Sequence, residues 1–106
     1  MNIRSEIKDI ESNIISWRRD FHRYPELGFE EYRTSKVIGE LLKSFGLSPK
    51  MNIGKTGVTA DIDFGDGPTI ALRADMDALP IQETSGLEFA SKNDGVMHAC
   101  GHDGHM

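Results

Sequence analysis

The hydrophobic period of this sequence changes at Gly46, from a helical repeat before it to strand-like alternation after it. That change limits the available folds more than any other feature. Ile3, Ile7, Ile10, Ile14, Trp17 and Phe21 recur at spacings of 4, 3, 4, 3 and 4, which puts all six on one helical face and leaves Asp9, Glu11, Arg18 and Arg19 outside the seam. The seam covers fewer than three heptads, so it predicts an amphipathic helix docked on a core rather than a coiled coil. Pro25 drives Tyr24 out of the helical region, so the helix should stop by Tyr24, with Gly28 in the connection that follows. A second helix is predicted over about 30–45, with Thr34, Ile38, Leu41 and Phe45 on one face and Lys43 in its last turn. Gly46 is then its C′ residue.

Beyond Gly46, Val58, Ala60, Ile62 and Phe64 alternate with Thr59, Asp61 and Asp63. Gly65-Asp66-Gly67-Pro68 breaks the run, and a second one starts at Ile70. This predicts an antiparallel hairpin, preceded by a shorter strand around 47–53. Two helices followed by about three strands imply a layered α/β or α+β unit whose sheet is covered on one face by the helices. No repeat, low-complexity tract or linker divides residues 1–106, so one domain is expected.

Charge and cysteine usage exclude several functions. Twelve Lys and Arg stand against 17 Asp and Glu, a net charge of −5, which argues against nucleic-acid and anionic-membrane partners. Cys100 is the single cysteine, so no intramolecular disulfide can form. The first thirteen residues alternate charges with isoleucines, unlike a signal peptide, and no stretch has the apolar length of a membrane span. A cytoplasmic protein is expected.

Two groups of residues suggest chemistry. If residues 69–77 are extended, Arg73, Asp75 and Asp77 leave the strand on one side, and ligands gather beyond strand carboxyl ends in open α/β sheets. The competing role for the two aspartates is to cap the turn into Leu79-Pro80. The second group is His98-Ala99-Cys100-Gly101-His102-Asp103-Gly104-His105, with three imidazoles and the only thiol in eight residues. Cys and His are ligands for zinc and related ions, and the i, i+2 spacing lets Cys100 and His102 approach one metal or two neighbouring ones. Asp103 or Asp75 would orient a ligating imidazole, while Gly101 and Gly104 would let the backbone bend around an ion. Against this, Cys100 suits a small buried apolar residue, His98 and His105 suit ordinary surface groups, and the terminal Gly-His-Met suits an expression-tag remnant. His22 reads as structural, near a helix end.

Four blocks in order complete the pattern. They are Trp17-Arg18-Arg19-Asp20-Phe21-His22-Arg23-Tyr24-Pro25-Glu26-Leu27-Gly28-Phe29-Glu30-Glu31, then Thr56-Gly57-Val58, then Leu72-Arg73-Ala74-Asp75-Met76-Asp77-Ala78-Leu79-Pro80-Ile81-Gln82-Glu83, then Met97-His98-Ala99-Cys100-Gly101-His102-Asp103-Gly104-His105-Met106. Together they resemble the amino-terminal part of the M20 metallopeptidases and amidohydrolases, and the branch that includes hippurate hydrolases, N-acyl-amino-acid amidohydrolases and auxin-conjugate hydrolases most of all.

The resemblance implies part of a zinc-peptidase-like catalytic domain in a metal-dependent amidohydrolase. Its substrates would be small N-acyl amino acids, hippurate-like or N-acetylated, or related amides. Two divalent ions per site are implied, from among manganese, zinc, cobalt and nickel. Cys100 and His102 match the first two metal ligands of that branch. Asp75 matches the aspartate that supports a ligand in relatives with His-x-Asp, and Arg73 stands at the histidine position here. The family's glutamate pair of base and ligand, two later histidine ligands, and a lid domain that dimerises in many relatives are expected outside residues 1–106. The other class of reading is a catalytically silent fragment with a partial metal-binding or structural role, because two strong ligands do not close a four-coordinate site.

Overall fold

A computed structural model describes residues 3–106; Met1 and Asn2, at the start of the stretch that alternates charges with isoleucines, lie outside the described residues. In chain order the elements are α1 (Ser5–Asp9), α2 (Glu11–Arg23), α3 (Tyr32–Ser44), β1 (Lys50–Ile53), β2 (Gly57–Thr59) and α4 (His102–His105). This is a mixed α/β arrangement, as the change of period predicts.

The predicted first helix forms in two pieces, interrupted at Ile10, whose φ of −106° and ψ of 4° leave the helical well. It ends as expected. Tyr24, kept out of the helical region by Pro25, takes φ −125° and ψ 61°. The docking of the whole seam is corrected: Ile3, Ile7, Ile10 and Ile14 are all exposed, and only half-buried Trp17 and buried Phe21 reach other elements. Trp17 meets the Phe45 ring edge-on at 5.7 Å. Amphipathicity marks a face for burial without supplying its partner, and no described element lies against the first turns.

Both ends of α3 follow from local chemistry. Its free N-terminal amides are capped by Glu26 from the preceding loop, whose carboxylate accepts from the Arg33 N–H at 3.0 Å and the Thr34 N–H at 2.6 Å. At the other end Gly46 has φ +85°, its N–H donates to Lys43 O at 2.9 Å, and the Leu47 N–H donates to Leu42 O at 3.0 Å. These two bonds are a Schellman motif around the predicted C′ glycine.

The short strand expected around 47–53 is present as β1, while of the alternating run from Val58 only its first residues are in a strand, β2. β1 and β2 pair antiparallel, with Lys50 opposite Thr59 and Ile53 opposite Gly57, so the hairpin turns at 54–56. Gly39 of α3 leaves room for Met51, whose sulfur would be 2.8 Å from a Cβ there. Buried Thr56 donates its hydroxyl to Glu31 at 2.6 Å, tying that turn to the start of α3. Residues 60–77 form no strand, and Phe64 and Leu72 stand 93% and 97% exposed. The predicted hairpin about Gly65-Asp66-Gly67-Pro68 is therefore corrected. Alternation sets which side each residue faces, but a strand exists only where a second one accepts its hydrogen bonds. Further pairing among the described residues is limited to two bridges, Leu27 parallel with Ala78 and Leu79 antiparallel with Met97. These bridges carry residues 75–79 and 97–103 to the end of α2.

The interior at that junction is largely polar. Phe21 and Ala78 are buried beside His22, His98 and Asp103.

Candidate functional site

Gly101 opens the site. Its φ of +92°, a region costly for residues with a Cβ, turns the chain into α4, where the Gly104 N–H donates to Gly101 O at 3.0 Å and the Met106 N–H to His102 O at 3.1 Å. The bend predicted for Gly101 is thus present, while Gly104 sits within the helical turn and needs no special conformation. Cys100 immediately precedes the turn and is exposed, which corrects the buried-thiol alternative.

His102 is held by one ring nitrogen. Its Nδ1 lies 2.9 Å from the Asp77 carbonyl oxygen and 3.1 Å from Asp77 Oδ1, so Nδ1–H donates there. Nε2 is left on the other side, 4.0 Å from Asp75 Oδ2. Asp75 also accepts from Arg73 Nη1 at 3.2 Å. Asp75 and Asp77 therefore reach the same imidazole, as their i, i+2 spacing suggests, although the segment is not a strand. The anchoring of His102 by Asp77 was not foreseen. The legible signal was the shared side of the two aspartates.

Behind α4 lies a buried ionic cluster. Asp103 Oδ2 accepts from Arg18 Nε at 3.2 Å and lies 2.8 Å from His22 Nδ1, while His22 Nε2 lies 2.9 Å from Glu83 Oε1. Asp103 thus contacts His22 and not His102, so of the two carboxylates expected to orient a ligating imidazole only Asp75 lies near the His102 ring. Glu83 also accepts from the Ser91 N–H at 2.9 Å and from the Ser85 hydroxyl. Burial pushes the Glu83 carboxyl up, and the bonds from Ser85, Ser91 and His22 outweigh it, holding the group below the ordinary glutamate value. Phe89 closes the cluster, edge-on to His22 at 5.4 Å and under the Arg19 guanidinium at 4.8 Å.

His98 is 4% exposed, which corrects the surface reading, and both its ring nitrogens lack a hydrogen-bond partner among the described residues. Burial pushes its pKa down, against the opposing charge of Asp103. His105 is exposed, with its ring centre 6.4 Å from that of His102.

Metal-ligating imidazoles usually donate their second nitrogen to a carbonyl or carboxylate, and His102 does both. With an exposed thiol two residues earlier, the donors suit one side of a site for a borderline-soft divalent ion. Among the described residues, no three His, Cys, Asp or Glu side chains converge closely enough to hold an ion by themselves.

Residues 71–106 match the family described as Peptidase family M20/M25/M40. The N-acyl-L-amino acid amidohydrolase of Geobacillus stearothermophilus is 50% identical over 104 residues, covering 97% of this chain and 28% of that protein. The hippurate hydrolase of Campylobacter jejuni is 48% identical over 106 residues, covering 99% of this chain and 28% of that protein. Among solved structures, the Bacillus subtilis YXEP protein, described as a dinuclear metal binding peptidase from the M20 family, superposes with a TM-score of 0.85 at 51% identity. The match covers 91% of this chain and 28% of that one. The chain thus spans little more than a quarter of the length of the proteins it resembles. Close likeness runs along nearly all of this chain's length, and the family match over residues 71–106 takes in both the Asp75 to Asp77 segment and the Cys100 to His105 turn, so the chain is similar to a stretch of M20 peptidase family proteins.

Proposed function

We propose that these residues form part of the catalytic domain of a metal-dependent amidohydrolase that cleaves N-acyl amino acids, hippurate-like or N-acetylated, into a carboxylate and an amine. The observation that carries this reading is the double anchoring of His102 Nδ1 by Asp77, which presents Nε2 beside Asp75 and two residues from an exposed thiol. The names of the relatives support the substrate class. Cys100 and His102 are assigned as metal ligands, and Asp75 as the carboxylate that faces the ligating nitrogen. When bound, divalent ions supply Lewis-acid polarisation of the scissile carbonyl and activation of the attacking water. Manganese, zinc, cobalt and nickel all suit a thiolate, imidazole and carboxylate set.

The net charge of −5 fits a small-molecule substrate better than a nucleic acid, and no described helix is long and apolar enough to cross a membrane. A reduced cytoplasmic setting suits an exposed ligand thiol. We assign residues 1–106 to the catalytic domain, and place the lid and any homodimer contact of the family in other parts of the protein.

The limited convergence of donors favours a second statement about these 106 residues taken alone: they carry only part of a metal site, the Cys100 and His102 side, and give no turnover. The test has two arms. Cobalt(II) added to the purified chain should give a thiolate-to-metal charge-transfer band, with no hydrolysis of hippurate or N-acetyl amino acids. The longer protein that contains this chain should hydrolyse them and lose activity on chelation. Absence of the band, or chelator-resistant hydrolysis, would remove the metal reading.

A further inference from the structure

His22 ends α2 at 4% exposure, with a carboxylate against each ring nitrogen, Asp103 at 2.8 Å and Glu83 at 2.9 Å. A neutral imidazole has one N–H and one lone pair. Either neutral tautomer would therefore turn a lone pair toward a carboxylate oxygen, and the contact is favourable only if a further proton sits in the triad. Glu83 is occupied as an acceptor, since its carboxylate already receives the Ser91 N–H at 2.9 Å and the Ser85 hydroxyl. Asp103 is likewise occupied as an acceptor, because the same Oδ2 receives Arg18 Nε at 3.2 Å. The proton belongs on His22. The cluster then pairs two cations, Arg18 and His22, with two anions, Asp103 and Glu83, and such balance makes buried charge tolerable.

Asp103 follows His102 directly, and α4 is a helix of four residues. An isolated turn of that length does not hold itself. His102 is fixed at the imidazole by Asp77, while its backbone is fixed only through its neighbours. We propose that His22, as an imidazolium donating from both nitrogens, is a positioning residue for the metal-binding turn: it clamps Asp103 to α2 and Glu83 and so aims His102. This rests on the reading of His102 as a ligand.

The test uses the 106-residue chain and cobalt(II) alone as the probe, with nitrogen-15 spectra of the imidazoles. In the wild type, both His22 nitrogens should be protonated and His102 should carry its proton on Nδ1. His22→Gln should weaken cobalt binding about 10- to 100-fold, in the range seen when an outer-shell partner is lost, and should mix the His102 tautomers. Glu83→Gln, which leaves the Asp103 contact in place, should move both readouts the same way by less, and serves if His22→Gln does not fold. Asp20→Asn breaks the 2.8 Å pair with Arg33 elsewhere on α2 and should move neither. A singly protonated His22 in the wild type would overturn the proposal. So would wild-type cobalt affinity with an unchanged His102 tautomer in both variants at positions 22 and 83. If the wild-type chain binds no cobalt, the metal reading fails by itself, and the His22 and His102 spectra still decide the clamp: altered tautomers uphold it and unaltered ones overturn it.

Discussion

His102 and Asp77 are joined twice through one nitrogen, at 2.9 Å to the carbonyl oxygen and 3.1 Å to Oδ1. The arrangement fixes the tautomer and leaves Nε2 as the nitrogen that can accept a ligand bond. Asp77→Ala removes the carboxylate and retains the carbonyl, so cobalt(II) affinity should fall by about tenfold, the lower end for loss of an outer-shell partner. Calorimetric titration of the variant checks this. An unchanged affinity would show that the carbonyl alone holds the ring.

Cys100 is exposed, so Cys100→Ser should alter folding stability by no more than about 0.5 kcal/mol, as at other surface positions. A neutral hydroxyl is a much poorer ligand than a thiolate, so the variant should lose its charge-transfer band and its metal. Elemental analysis and circular dichroism on the same samples separate the two effects. Full metal content in the serine variant would take Cys100 off the ligand list.

Gly101 and Gly104 should respond oppositely to alanine. Gly101 has φ +92°, and a Cβ there costs about 1–2 kcal/mol from strain alone. Gly104 lies in the α4 turn with nothing within 4 Å of a Cβ, and alanine there should be neutral or slightly stabilising. Thermal melts of the two variants should move apart, with Gly101→Ala melting lower.

Glu83 should make stability depend on pH with a definite sign. Its folded pKa lies below that of an ordinary glutamate, about 4.3, so its contribution is full above that value and is lost as pH falls through the folded pKa. Wild type should therefore be more stable than Glu83→Gln at pH 7, and the gap should shrink as pH falls below the ordinary glutamate value and through the lower folded one. Urea unfolding of both proteins at neutral pH and near pH 3 measures it. A gap that does not change with pH would mean that Glu83 acts through shape and not charge.

What the sequence determined by itself is what a few neighbouring residues can specify. Pro25 ends α2 because its ring clashes with a helical Tyr24, and Gly46 ends α3 because a left-handed turn there meets no Cβ. The bend at Gly101 and the nearness of His102 to Cys100 are local in the same sense. Tertiary structure decided everything that needs a partner from far along the chain. The alternating run at 58–64 predicts a strand, but no described segment pairs with residues 60–64, and the hairpin forms instead at 50–59, where the turn brings its own partner back. The isoleucine seam of the first helices has a correct period and an uncovered face. His98 is buried and His22 is caught between Asp103 and Glu83, 81 and 61 residues away, because bridges at Ala78 and Leu79 bring those segments to one place. Periodicity and backbone preference act over a turn or two of chain, whereas a hydrogen bond across eighty residues exists only once packing has set both of its ends.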